Sequence, residues 1–207
     1  MNAIEILKEL YFTAISNPFA RQYYNKKTGE QKYCPVRREI TLKDLSSHLN
    51  GYITLGAYLV NKAGTCRFFV VDIDLAKGLN LKDNLNVLKE QTKLYVNRFS
   101  HYNIPVYVSL SANRGMHITG YLVEPMPAAV IKRVVEGIIT EVDLIDGKII
   151  STPEVFPKQI KIENVGSLVK VPLGIHKKTS NRALFVDPKT DFSSVAEGKI
   201  IGQLRWL

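Results

Sequence analysis

Residues 66–75 read CRFFVVDIDL. Strand-forming residues fill the stretch, and two aspartates one residue apart close it. Alternate residues of a strand point to one face, so the side chains of Asp72 and Asp74 are neighbours, with Cα atoms roughly 6.5–7 Å apart. Two like charges on a half-buried sheet repel, and taking them out of water is costly unless a cation is near. Either the pair ends the strand in water, with Lys77 as a partner, or it holds hard divalent ions such as Mg²⁺ or Mn²⁺.

The elements that follow this strand define the fold class. Leu81, Leu85, Leu88, Tyr95 and Phe99 recur at helical spacing over 81–101. Strand 106–111 (VYVSLS) comes next, then the turn ANRG, strand 116–123 (MHITGYLV) and helix 127–142, with apolar residues at 149–156 for a fourth strand. Strand–helix–strand–strand–helix–strand is the split βαβ unit of ferredoxin-like and RNA-recognition-motif-like sheets. The expected class is therefore α/β (α+β), an RNA-recognition-motif-like βαββαβ sheet packed against an N-terminal α/β module. In that module an amphipathic helix spans 2–16, with Asn2 and Glu5 as a capping box. A short helix over 41–49 starts at Thr41, and a strand covers 52–61. The expected organisation is one catalytic domain over 1–207, with modules 1–65 and 66–207. Two further strands, LVKVPL and ALFVD, lie in 166–187.

Topology gathers the polar residues. With the usual strand order 4-1-3-2, the end of strand 1 lies beside the starts of strands 3 and 4. Asp72, Asp74, Ser111, His117 and Glu154 then converge on one sheet edge. The turn SANRGMH (111–117) holds Gly115 where backbone N–H groups can face an anion, with Ser111, Arg114 and His117 at its rim. In KVPLGIHKKT (170–179), Lys170, His176, Lys177 and Lys178 surround a Pro-Leu-Gly bend. This run reads as an exposed basic hairpin or as a second wall of a triphosphate pocket.

Charge and composition narrow the partners. The chain has 207 residues and a net charge of +9. Residues 21–43 and 158–189 each hold seven Lys/Arg against two acids, so the rest is nearly neutral. Such segments fit a polyanion, or a solvated basic surface. Tyr23, Tyr24 and Tyr33 lie in the first segment, where they could stack on bases or pack the module. No run reaches the ~18–20 apolar residues of a membrane span, and no signal peptide opens the chain. Cys34 and Cys66 lack C-x-x-C partners, which argues against structural zinc and for a cytoplasmic protein.

The motifs together resemble the archaeo-eukaryotic primase superfamily, the primase-polymerases, and within it the CRISPR-associated and conflict-system (TOTE-like) branch. VVDID (70–74) is similar to the family's D-x-D or D-x-E motif, and SANRGMH to its S-G-x-x-G-x-H motif, with Ala112 in place of glycine. VPLGIHKKTSN (171–181) is similar to its P-x-S-x-H-x-K-T-G run. HLNGYITLGAYLVNKAGTCRFFVVDIDL (48–75) and HITGYLVEPMPA (117–128) extend the likeness to about residues 20–190.

The resemblance implies a primase-polymerase that adds (d)NTPs to a 3′-hydroxyl on a DNA template and primer. It implies Asp72, Asp74 and a third carboxylate as ligands of two Mg²⁺ or Mn²⁺ ions, the third being Glu154 or its competitor Asp187. It implies that Ser111, Arg114, Gly115, His117, Lys170, His176 and Lys177 bind the nucleotide. The missing zinc cysteines depart from replicative primases and leave unprimed initiation open. A two-metal nuclease and a non-catalytic nucleic-acid-binding module are the competing readings.

Overall fold

The computed structural model describes residues 2–161 and 164–195. Helix α1 (Ala3–Phe12) begins with the expected capping box, Asn2 Oδ1 accepting from Glu5 N–H at 3.0 Å and Glu5 Oε2 from Asn2 N–H at 2.9 Å. The basic segment then folds into a hairpin, β1 (Phe19–Tyr24) and β2 (Gln31–Val36), which the sequence reading left without strands. Its alternation is masked because both faces of β2 carry polar or partly exposed side chains. The turn is made possible by Gly29 at φ +71°.

Helix α2 (Leu42–Leu49) starts at Thr41 with a second capping box. Its Asp44 is buried and also binds Arg21 and Arg38, each at 2.7 Å. Arg38 first, then Thr41 and Arg21, hold this carboxyl well below the usual carboxylate range. Two of the segment's seven cations therefore serve the fold.

Strand β3 (Leu55–Tyr58) is fully buried and shorter than the expected 52–61. It pairs with β1 on one side and with β8 (Leu168–Lys170) on the other, giving a four-stranded sheet β2-β1-β3-β8. Residues on both sides of position 65 thus build the first sheet.

The second sheet contains β4 (Thr65–Asp74), β5 (Tyr107–Leu110), β6 (Gly115–Pro127), β7 (Glu154–Phe156), β9 (Phe185–Asp187) and β10 (Ser193–Ser194), in the order β10-β9-β5-β6-β4-β7. Its pairings are antiparallel, and the strands expected as 4-1-3-2 occur in that order as β7-β4-β6-β5. The fourth strand is shorter than 149–156. Pro153 has no N–H to give to a ladder, and upstream only Ile150 makes an isolated bridge, to Leu75.

Helices α3 (Leu81–His101) and α4 (Ala128–Thr140) cover one face of this sheet, where Phe69 stacks on Phe99 at 5.5 Å. On the opposite face Phe68 meets Tyr11 of α1 at 5.1 Å, and the Tyr11 and Tyr121 hydroxyls are hydrogen-bonded at 2.5 Å. Val70, Asp72 and Asp74 continue this second face beyond α1. Among the described residues no helix is long and apolar enough to cross a membrane.

His48 ties α2 to the first sheet, between β3 and the segment after β8. It is fully buried; its Nδ1 accepts from Leu55 N–H at 3.1 Å and its Nε2–H donates to Pro172 O at 2.9 Å. Burial pushes its pKa down to about 4. The folded state therefore binds this proton about two units below the unfolded chain's ordinary value, and stability falls as pH drops from about 6.5 through 4. Urea unfolding of wild type and His48→Gln between pH 7 and 4 is expected to show wild type losing about 2–3 kcal/mol more than the variant. Parallel loss in both proteins would exclude His48 as the source.

Candidate active site

The second face of β4 ends in Asp72 and Asp74. Across β6, His117 is the register partner of Asp72 and Gly115 that of Asp74; across β7, Glu154 is the partner of Asp72. Register partners share a face, so three carboxylates and one imidazole meet at this edge. His117 Nε2 lies 3.5 Å from Asp72 Oδ1. That oxygen is buried and has no hydrogen-bond partner.

The turn 111–115 is built by its own side chains. Ser111 Oγ accepts from Gly115 N–H at 2.9 Å and Asn113 N–H at 3.3 Å, which leaves the hydroxyl proton for another acceptor. Ala112 takes the left-handed φ of +59°, which explains why glycine suits this position in similar motifs. Gly115 is required by contact, because a Cβ there would strike the Asp74 carboxylate and the Ile73 carbonyl. Arg114 is turned to Asp74, with Nε and Nη2 donating to Oδ2 at 3.1 and 3.0 Å.

Strand β8 and the bend after it form the opposite wall. Lys170 is buried there, and His176 Nδ1 accepts from Thr179 N–H at 3.3 Å. The Thr179 hydroxyl donates to Ala112 O at 2.5 Å, latching this loop to the serine turn. A cleft of about 320 Å³ lies between the walls, bordered by Asp72, Asp74, Ser111, His117, Lys170 and His176. Gln22, Gln31 and Tyr33 of the first sheet complete it, with Phe156 of β7. The sequence reading named Tyr33 only as a base-stacking or packing residue and missed Gln22, Gln31 and Phe156. Their only signal was position in a basic segment and a short strand.

Arg114 and Gly115 lie behind the cleft lining, and three further expected residues stand apart from it. Lys177 directs its ammonium to Gly51 O and Tyr52 O, each at 3.0 Å, and so braces the loop. Glu154 is exposed beside Asp72 and pairs with Lys158 at 2.6 Å. Asp187 lies three strands from β4 and accepts from Lys189 N–H at 2.9 Å, capping the 3₁₀ turn Pro188–Thr190. Of the two competitors for third carboxylate, only Glu154 is a neighbour of the pair.

Burial shifts every titratable group in the cleft toward its neutral form. It pushes Asp72 up to about 6, aided by Glu154, and raises Asp74, where the Asp72 charge adds to it and Arg114 opposes it. It pushes His117 down to about 3, with Lys170 adding to the effect, and Lys170 down to about 7 against the attraction of Asp72. His176 is pushed down to about 4. A divalent cation at the acids and an anion at Lys170 and His117 would each reverse these shifts.

The donor chemistry fits such a cation. An unpartnered carboxylate oxygen next to a second carboxylate suits a hard ion that keeps sites for substrate oxygens, as Mg²⁺ does. Among the described residues, no three His, Cys, Asp or Glu side chains are grouped so as to hold a metal ion, so Asp72 and Asp74 stand as a pair of ligands without a third in place. Cys66 is buried with its thiol pushed up to about 12, and Cys34 is half-buried on β2.

Among the described residues, two antiparallel sheets and four α-helices make an α+β domain, with acids on one sheet edge and cations on the facing wall. The polymerase domain of Mycobacterium tuberculosis ligase D, solved in complex with DNA, superposes with a TM-score of 0.53 at 11% identity, over 97% of this chain and 85% of that one. The primase-polymerase domain of cyanophage S-2L aligns at a TM-score of 0.46 and 10% identity, over 98% and 97%. The family model for the archaeo-eukaryotic primase domain of the TOTE conflict system matches residues 3–198, and the chain belongs to that family. No curated protein matches it in sequence.

Proposed function

We propose that this domain is a metal-dependent, template-directed nucleotidyltransferase that extends a DNA primer from nucleoside triphosphates. The observation that carries the reading is the placement of an unpartnered, buried Asp72 oxygen opposite Lys170 and His176 across one cleft. Asp72 and Asp74, with Glu154 adjacent, would hold Mg²⁺ or Mn²⁺. When bound, the ions supply Lewis-acid activation of the 3′-hydroxyl and neutralise charge on the phosphates.

The chain's own groups account for the remainder. Lys170 and His117 gain protons as the triphosphate enters, and the Ser111 hydroxyl donates to a phosphate oxygen. The primer 3′-hydroxyl gives its proton to solvent and its oxygen bonds to the α-phosphorus as the bond from that phosphorus to the pyrophosphate oxygen breaks, and Lys170 and His176 offset the charge on the leaving group. Arg114 keeps one Asp74 oxygen fixed, leaving the other for the ion.

The exposed part of the β1–β2 hairpin, with Tyr23, Lys26 and Lys27, faces solvent as a surface for template or primer phosphates and bases. DNA seen on the mycobacterial polymerase domain supports that partner. Membership of a conflict-system family supports an association with such systems and, with it, a cytoplasmic setting.

The test is primer extension with Mg²⁺ or Mn²⁺, dNTPs or NTPs, and wild type beside an Asp72→Ala/Asp74→Ala protein. Metal-dependent growth of the primer is expected in wild type alone. Template degradation would instead indicate a nuclease. DNA binding without extension by a folded wild type would indicate a binding module. Repeating the assay without primer tests priming.

A further inference from the structure

Gln22 lies in the middle of β1 and is 4% exposed. Its backbone N–H is satisfied by Thr54 O at 2.8 Å, and its Oε1 accepts from Lys177 N–H at 2.8 Å. That second bond sets the amide's orientation, because a backbone N–H can face only the oxygen. The NH₂ group must then point the other way, where it is closed off from bulk water and has no partner. Native interiors rarely leave such a donor unpaired unless a ligand supplies the acceptor.

The residue borders the same cleft as Asp72, Asp74, Lys170 and His176. Its register partner on β2 is Tyr33, which borders the cleft too. Lys177, which orients the amide, directly follows His176. The fold therefore fastens the amide to the loop that carries the cationic wall, while the acids stand on the other sheet.

We propose that Gln22 contacts the bound nucleotide, its side-chain NH₂ donating to a nucleotide oxygen in the cleft. This rests on the nucleotidyl-transfer reading above. The acceptor chemistry, an sp³ hydroxyl or phosphate oxygen, is supplied by the ribose or by the triphosphate. The contact acts on nucleotide binding, so its loss raises KM more than it lowers kcat.

Two substitutions separate this from a packing role. Gln22→Glu keeps an oxygen for Lys177 N–H but removes the donor and adds charge. Gln22→Met keeps length and neutrality without donor or acceptor. Wild type and both variants are compared by thermal unfolding, by KM and kcat with ATP and dATP on a primed template, and by competition with tripolyphosphate.

The expected result is a KM raised about 10- to 100-fold in both variants, with the Glu protein unfolding near the wild-type temperature. Equal losses for ATP and dATP, with weaker tripolyphosphate competition, identify a phosphate oxygen. Losses confined to ATP identify the ribose 2′-hydroxyl. A raised KM in the Glu variant alone overturns the proposal, because charge then suffices. So does a lowered unfolding temperature with unchanged KM. A wild type that neither binds nor uses nucleotides defeats the nucleotidyl-transfer reading and this inference together, whereas an active wild type matched by both variants defeats only the inference.

Discussion

Asp72→Asn is expected to reduce primer extension at least about a thousandfold and, in the same protein, to raise stability when metal is absent. Both effects have one cause. The Asp72 carboxylate is half-buried, has one buried, unpartnered oxygen and faces Glu154 across the β4–β7 ladder. Burial and that neighbour push its pKa up to about 6. The folded state therefore holds the proton more tightly than the unfolded chain, and stability is lost as pH rises from about 4 through 6. Above pH 6 the ionised group carries the full penalty. With about a quarter of the side chain open to solvent, that penalty is about 1–2 kcal/mol.

An amide of the same shape carries no such penalty. In EDTA at pH 8 the variant should unfold at higher denaturant, and at pH 4 the two proteins should converge. Adding Mn²⁺ should stabilise wild type and leave the variant unmoved. The thousandfold loss of activity corresponds to about 4 kcal/mol of transition-state stabilisation, within what a metal ligand supplies. Equal stability at pH 8, or extension near wild type, would show that this carboxylate is neither strained nor used.

Gly115→Ala is expected to be among the most damaging small substitutions in the domain, costing about 3 kcal/mol or more and disabling any surviving protein. Most glycines here leave room or meet the movable tip of a side chain. At Gly115 the added methyl would meet the Ile73 carbonyl, the Asp74 Cα and the Asp74 carboxylate. A backbone carbonyl inside a β ladder cannot turn aside without breaking its pairing. Relief must come from separating β4 and β6, the longest pairing of the second sheet, and such overpacking typically costs about 1–3 kcal/mol even where neighbours can adjust. The same separation carries Asp74 away from Arg114 and Asp72 away from His117. Chemical denaturation reads the first effect and primer extension the second. An alanine variant within 1 kcal/mol of wild type would mean that the strands are not so closely apposed.

Much of the catalytic sheet was legible because its information is local or ordered along the chain. The alternation in residues 66–75 placed both aspartates on one face, and the element order placed His117 and Glu154 beside them. Ser111 and Gly115 were visible as a turn, although the reason each is needed, a hydroxyl bridging two backbone N–H groups and a missing Cβ against Asp74, lies in contacts. Arg114 and Lys177 looked like phosphate ligands because they are cations beside motif residues. The folded chain uses them for Asp74 and for the carbonyls of 51 and 52. Charge in a sequence does not say which opposite charge is nearest.

The sequence alone determined the family, the acidic strand and the order of the sheet that carries it, since side-chain alternation and the succession of elements are properties of the chain itself. Tertiary structure alone decided the second wall. Strand β8 crosses back to pair with β3, Thr179 latches its loop to the serine turn, and the β1–β2 hairpin brings Gln22, Gln31 and Tyr33 over the acids. Those residues lie roughly 40 to 100 positions from the groups they face, and only the packing of one sheet against the other makes them neighbours.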